Sequence, residues 1–391
     1  MGDDALDRDA RIKLLSIGTE QPGHANGEFN LPLVLVFDHH RGLLLVLDTD
    51  NHRVQVFSCD DDDGFSFVSK FGEKGKQPGQ LKYPEGIAID HDHDRILIVD
   101  RGNNRVQSWS LSEQSFLSCI GHRGSGDLEF EHPRDIAIDK HHHRIIIVDS
   151  YNNRLVFLSS IDLSFLFVAG KRGSRPGEFN YPTGIAVDHD RHRIIVCDTI
   201  NHRVQVLSLI DGSFLFEFGS KGDEAGQLNR PQGVCIDNQG RIIVADFSNN
   251  RLQSFTHEGH HISSFDCGID FQCGVAFDEH RGLIAFSAHH QVYVIGANQW
   301  LADTFTWRPD LHRYAPSWLK QTVSTMTMIR SLADESSAMS LIPNELLFEI
   351  FSYLEPPELE IPLEEQSDTA SSLSSSSCDQ SPQSSSNCTM M

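Results

Sequence analysis

Histidine and aspartate crowd into four short stretches: DHHR at 38–41, DHDHDR at 90–95, DKHHHR at 139–144 and DHDRHR at 188–193, with an acidic run at 60–63. Imidazoles and carboxylates are ligands for zinc and other divalent cations. A metal site needs a fixed set of ligands converging on one point, and each of these stretches stands alone between two apolar runs. Asp and His also tolerate turn geometry. The expectation is therefore solvated turns whose tips point away from one another, with no bound metal and no cofactor.

A second pattern places a carboxylate near a guanidinium. It occurs five times, as Asp48/Asn51/Arg53, Asp100/Asn103/Arg105, Asp149/Asn152/Arg154, Asp198/Asn201/Arg203 and Asp246/Asn249/Arg251. An arginine in every copy has the chemistry of a phosphate clamp. A ligand, however, breaks the symmetry of a repeat, whereas a scaffold bond is needed in each copy. These arginines are expected to bond loop carbonyls and the neighbouring Asp in charge-assisted geometry. Nucleophilic chemistry has little to stand on, because the chain contains neither a G-x-S-x-G elbow nor a C-x-x-C pair. No residue is read as catalytic.

The elements that must position these residues repeat with them. Pro32, Pro84, Pro133, Pro182 and Pro231, followed by Gln272, are separated by 52, 49, 49, 49 and 41 residues. Each copy reads as four short strands. In the fourth, 184–188 (GIAVD) and 193–198 (RIIVCD) are continuous β-branched runs, 203–208 (RVQVLS) alternates, and 213–219 (SFLFEFG) is aromatic-rich. Four-stranded units at this period predict a propeller. The first strand occurs six times, at 33–38, 86–90, 135–139, 184–188, 233–237 and 274–278, but the fourth only five times. The missing one is supplied by IKLLSIG at 12–18, which would close the ring and remove an open edge. The fold class is all-β, a six-bladed propeller closed by an N-terminal strand.

The spellings PEGIAID…RILIVDRGNNRVQ, PRDIAID…RIIIVDSYNNRL, PTGIAVD…RIIVCDTINHRVQ and PQGVCID…RIIVADFSNNRLQ resemble the NHL repeat over about residues 11–297. The resemblance is to the propeller of tripartite-motif NHL proteins, without their RING and B-box zinc modules. It implies a recognition surface, and family members combine the ring with ubiquitin transfer or RNA binding. Other six-bladed propellers are lyases or lactonases with a channel metal held by His on inner strands. Here the slot after each Pro holds Leu33, Glu85, Arg134, Thr183 and Gln232, which speaks against that chemistry.

Chain parity gives the ring two faces. The His/Asp turns lie on one, called the bottom. On the top, Tyr83, Glu85, His132, Arg134, Tyr181, Thr183, Arg230 and Gln232 flank the repeated Pro, and Arg101, Tyr151 and Phe247 come from the loops between second and third strands. Aromatics mixed with arginines are the composition of binding hot spots and of surfaces that stack unpaired bases. These eleven residues are the candidate partner-binding set, and the expected partner is a protein. An RNA-binding propeller acting in post-transcriptional regulation is the first alternative and a metal-dependent lyase or lactonase the second. The formal charge of −23, of which −11 falls on 11–297, disfavours a polyanion.

The flanks differ in character. Residues 1–10 are charged and read as disordered, without a signal peptide. No apolar run reaches membrane length, and a cytoplasmic or nuclear location is expected. Residues 298–340 hold three tryptophans and one amphipathic helical pattern, and 359–391 form an acidic, then Ser-rich, disordered tail. Between them, 341–358 carries LIPNELLFEIFSYL. Its Pro343, Leu346, Leu347, Ile350, Phe351 and Leu354 resemble the opening helix of an F-box, while the later F-box helices are missing. That resemblance implies docking on a cullin-ligase adaptor, hence a role in substrate recognition for ubiquitin ligation and proteasomal degradation.

Overall fold

The computed structural model describes residues 14–61, 64–266, 269 and 271–301. They include six four-stranded antiparallel sheets; in five the strands follow chain order from the ring centre outward, and in the sixth the outermost strand is Leu15–Gly18. Blade 4 is representative: Pro182–Asp188, Arg193–Asp198, Arg203–Ser208 and Phe214–Phe218. Inner strands of successive blades lie against one another all the way round, and blade 6 meets blade 1.

The apolar runs follow from this stacking. A blade is covered on both faces by its neighbours, so its second strand has no wet side. Ile194, Ile195, Val196 and Cys197 are all fully buried. The period-two alternation of side chains then deals them to opposite seams. Ile194 and Val196 pack toward blade 3 with Ile146 and Val148, while Ile195 and Cys197 pack toward blade 5 with Val234 and Val244. The outer strand is wet on one side, and its pattern alternates, leaving Leu215 exposed.

Ring closure is as the strand count predicted. Leu15–Gly18 pairs antiparallel with Gln291–Gly296, Leu15 opposite Val294 and Gly18 opposite Gln291. Ile17 is buried in the core cluster that also holds Phe29, Val292 and Val294. A five-residue helix, Ala297–Leu301, follows directly. Its Trp300 packs on Phe265, ring centres 5.7 Å apart, and donates Nε1–H to the Ser263 hydroxyl at 3.2 Å. No helix among the described residues is long and apolar enough to cross a membrane. The F-box-like segment, with Pro343, Leu346, Leu347, Ile350, Phe351 and Leu354, lies outside the described residues, as do 1–10 and the Ser-rich tail.

Candidate functional site

The five Asp/Asn/Arg elements form one structure. In blade 1, Asp48 accepts Arg53 Nε–H at 2.7 Å, Asn51 Nδ2–H at 2.9 Å and the backbone N–H of Asn30 at 2.7 Å. The other Arg53 nitrogens donate to the carbonyls of His24, Ala25 and Glu28 in the preceding loop. Blades 2 to 5 repeat it, with Arg105, Arg154, Arg203 and Arg251 at 2.7–2.9 Å from their Asp. Burial raises the carboxyls of Asp48, Asp149 and Asp198 even against this pairing. A fourth member was not anticipated. Gln55, Gln107, Gln205 and Gln253 each donate to the same Asp and to the loop carbonyl, and the recurring RVQ or RLQ is their signature.

The bottom turns depart from expectation. In three of the four only the tips are solvated, because the first Asp and last Arg are buried and bonded: Asp90 with Arg95 and Asp139 with Arg144 at 2.9 Å, Asp188 with Arg193 at 2.8 Å; in the first, Arg41 stays exposed and pairs with Asp38 at 3.2 Å. The arginines then reach into the next blade, Arg95 to the Ser160 carbonyl, Arg144 to those of Leu209 and Ile210, and Arg193 to that of His257. Nor do all tips point apart. Imidazoles of neighbouring blades meet in pairs, His40 with His91 at 4.0 Å and His141 with His189 at 5.1 Å between ring centres. Among the described residues no group of three His, Cys, Asp or Glu is arranged to hold a metal.

On the top face the residue before each repeated Pro is left-handed: Leu31, Tyr83, His132, Tyr181 and Arg230 have φ of 51°, 49°, 48°, 59° and 54°. Non-glycine residues adopt this region only when the surroundings impose it. Here the imposing contact comes from the preceding blade. The N–H of His132 donates to Asn104 Oδ1 and that of Tyr181 to Asn153 Oδ1, both at 2.8 Å. The N–H groups of Tyr83, Arg230 and Leu31 donate instead to Nδ1 of His52 (3.0 Å), His202 (3.2 Å) and His290 (3.2 Å). An accepting Nδ1 carries no proton, and burial lowers the pKa of all three imidazoles.

Over this regular framework sits one irregular cluster. The two oxygens of the buried Glu85 carboxylate face Arg101 at 3.0 Å and Arg134 at 3.2 Å. Arg134 lies over the Tyr181 ring, 5.0 Å from its centre, and donates to its hydroxyl at 2.9 Å. Tyr181 touches Tyr151 at 5.1 Å, and Tyr151 touches His132 at 4.5 Å between ring centres. Burial raises the Glu85 carboxyl, and the two arginines oppose the rise.

Asp135 joins this cluster and was missed. It occupies the slot that holds Gly86, Gly184, Gly233 and Gly274 in other blades. Glycine is needed there because inner strands nearly touch: a Cβ on Gly184 would lie 2.2 Å from the Gln232 carbonyl oxygen. Asp135 instead uses its side chain to accept N–H from Ile185 of blade 4 at 3.0 Å and from Ile136 at 2.9 Å. Desolvation, together with nearby Glu85, pushes its carboxyl up to about 7 against those bonds. The signal was available in PRDIAID, where the repeat otherwise spells P-x-G.

Of the eleven candidate residues, Glu85, Arg101, His132, Arg134, Tyr151 and Tyr181 are brought together across blades 2 to 4. Tyr83 stands beside them, exposed, its ring 4.7 Å from that of His52. Thr183 and Glu85 are each 5% exposed and hold the site rather than face a partner. The Thr183 hydroxyl lies 2.8 Å from that of Thr199 and donates to the Gln232 carbonyl at 2.9 Å. Arg230 and Phe247 belong to blade 5, apart from the cluster. Glu85, Arg134, Asp135, Thr183 and Gln232 line a cavity at the channel mouth of about 40 Å³, room for about three waters.

Comparison with known proteins agrees with the repeat. The NHL repeat family matches residues 179–207 and 228–255, and a family described as a 6-bladed beta-propeller matches 35–123. Protein brain tumor of Drosophila melanogaster is 34% identical over 79 residues, which are 20% of this chain and only 7% of that protein. Among solved structures, a gluconolactonase from Xanthomonas campestris superposes with a TM-score of 0.55 at 13% identity, covering 76% of this chain and 93% of its own. A luciferin-regenerating enzyme superposes at 0.51 and 12% identity, covering 72% and 95%. At such identities the likeness is one of fold alone. The chain carries NHL repeats on a six-bladed β-propeller.

Proposed function

We propose that the ring is a non-catalytic recognition module that grips a protein partner over the channel mouth, on blades 2 to 4. The observation carrying this reading is the concentration of departures from the repeat in two adjacent blades. Glu85, Arg101, Arg134 and Asp135 replace residues that elsewhere are apolar, hydroxylated, amide or glycine; Glu85 pairs with both arginines, and Asp135 bonds the backbone N–H groups of Ile136 and Ile185. Scaffold needs recur in every blade, so a set present once answers to something outside the ring. Exposed Tyr83 and Tyr151 beside it offer rigid aromatic contact area of the kind that dominates interfaces. A cavity of about 40 Å³ is small against the roughly 300–1,000 Å³ of small-molecule sites, which favours surface recognition over channel catalysis.

A photo-crosslinking residue placed at Tyr151 in the full chain, with a second version at His141 on the bottom face, tests this in cells. The expected result is a discrete protein adduct from position 151 and none from 141. Equal labelling at both positions, or an adduct to RNA, overturns it. The finer reading is that the held protein is delivered to ubiquitin ligation through 341–354. Leu347→Asp is then expected to abolish co-purification of a cullin adaptor while the ring stays folded, and undiminished recovery removes that link.

A further inference from the structure

Arg101 occupies a position whose repeated task it does not perform. In blades 1, 3 and 4 the residue after the second-strand Asp is Thr49, Ser150 or Thr199, and its hydroxyl donates to the carbonyl of the next blade's Pro at 2.8, 2.5 and 2.8 Å. Arg101 pairs instead with Glu85, its NH1 3.0 Å from a carboxylate oxygen. Its Nε–H is buried with no acceptor among the described residues, and Nδ1 of nearby His132 is likewise without a hydrogen-bond partner. A buried donor left unmade keeps the cost of its lost hydration. Such a defect is retained where something else completes it. The Arg101 side chain is not sealed off, for 23% of it is exposed.

The local charge says what kind of group completes it. Glu85 is one carboxylate shared by two arginines, which leaves that trio with one positive charge at the seam of blades 2 and 3, a part of which the neighbouring Asp135 carboxyl offsets. Resting on the top-face reading above, we propose that this seam receives a single oxyanionic side chain of an extended peptide. The anion bonds the open donors of Arg101, and an apolar or aromatic neighbour rests on Tyr151. One surplus charge suits one anion. A nucleic-acid strand, whose affinity rises with every phosphate neutralised, finds no further run of unpaired cations in the cluster, and the ring as a whole carries −11. A carboxylate and a phosphorylated residue are the two sources of such an anion, and both match the planar fork of arginine.

The test uses the full chain and four probes in isothermal titration. They are a capped pentapeptide with glutamate between two tyrosines, its glutamine and phosphoserine counterparts, and decauridylate. The glutamate peptide is expected to bind about tenfold more tightly than the glutamine peptide, about 1.4 kcal/mol. Arg101→Gln should erase that difference. Arg101→Lys, which keeps the charge but loses the fork, should give an intermediate value and guards against misfolding. A phosphoserine peptide that binds more tightly still, with the same Arg101 dependence, assigns the anion to a modified partner. Equal affinity for the glutamate and glutamine peptides, or a preference that survives Arg101→Gln, overturns the inference. Tighter, steeply salt-dependent binding of decauridylate also overturns it. If the Tyr151 crosslink still captures a protein in that case, the top-face reading stands and only the anion is wrong.

Discussion

Arg105 and Arg101 leave the same blade four residues apart, and each pairs with a carboxylate of that blade, Asp100 at 2.7 Å and Glu85 at 3.0 Å. The first pair recurs in five blades, is saturated by loop carbonyls, and leaves 10% of the arginine exposed. The second occurs once, leaves a donor open, and shows more than twice the exposure. Identical chemistry thus serves two ends. A buried ion pair is costly to break but is a weak net stabiliser, so the repeated staples fix the loops in place more than they deepen the fold. The singular pair holds two guanidiniums at the channel mouth.

The comparison breaks if the two sets respond alike to mutation. The largest effect is expected for Asp100→Ala, which strands Arg105, Asn103, Gln107 and the Lys82 N–H at once. Urea denaturation should show a loss of about 3–5 kcal/mol. Next comes Gly184→Ala, whose Cβ meets the Gln232 oxygen at 2.2 Å; a loss of about 1–3 kcal/mol is expected from such overpacking, seen as a lower Tm. Tyr181→Phe removes only the hydroxyl under Arg134. It should cost about 0.5–1.5 kcal/mol in the same assay yet reduce crosslinking from position 151.

The smallest effect separates seams closed by Asn from those closed by His. His52, His202 and His290 have pKa values below the ordinary 6.5, burial being the main cause. Nearby cations, Lys74 for His52 and Lys221 and Arg230 for His202, act in the same direction, while Asp50 and Asp246 oppose it. The unfolded chain therefore binds more protons at these sites, and stability rises with pH. Their contribution is complete above 6.5 and declines as pH falls below it. Replacing all three with Asn, the residue at the blade 2/3 and 3/4 seams, should flatten the slope of urea midpoint against pH between about 7 and 5. An unchanged slope assigns it to the bottom-face imidazoles instead.

Much of the ring was legible. The Pro spacing, the buried second strands and the orphaned fourth strand follow from the periodicities of the chain, because each blade buries the same pattern against the same neighbours. Half of the cluster was legible too, as arginines and tyrosines at loop positions. Asp135 escaped because one of the two backbone N–H groups it bonds belongs to Ile185, fifty residues onward. Glu85 was assigned to the contact surface although it is buried beneath two arginines. The histidine acceptors escaped for a similar reason: His52 sits in one blade and satisfies a backbone group in the next. Residues with one role per blade can be read from repetition, whereas roles that cross a seam require the packing of the ring.

The pairing of Leu15–Gly18 with Gln291–Gly296 also sets a timetable. During synthesis the first strand emerges about 270 residues before its partner, a wait of roughly 14–55 s at about 5–20 residues per second. Over that interval the outer strand of blade 6 has no sheet to join, and the nascent ring is an open crescent with an unsatisfied edge at each end. Exposure of these edges lasts until Gln291–Gly296 emerges.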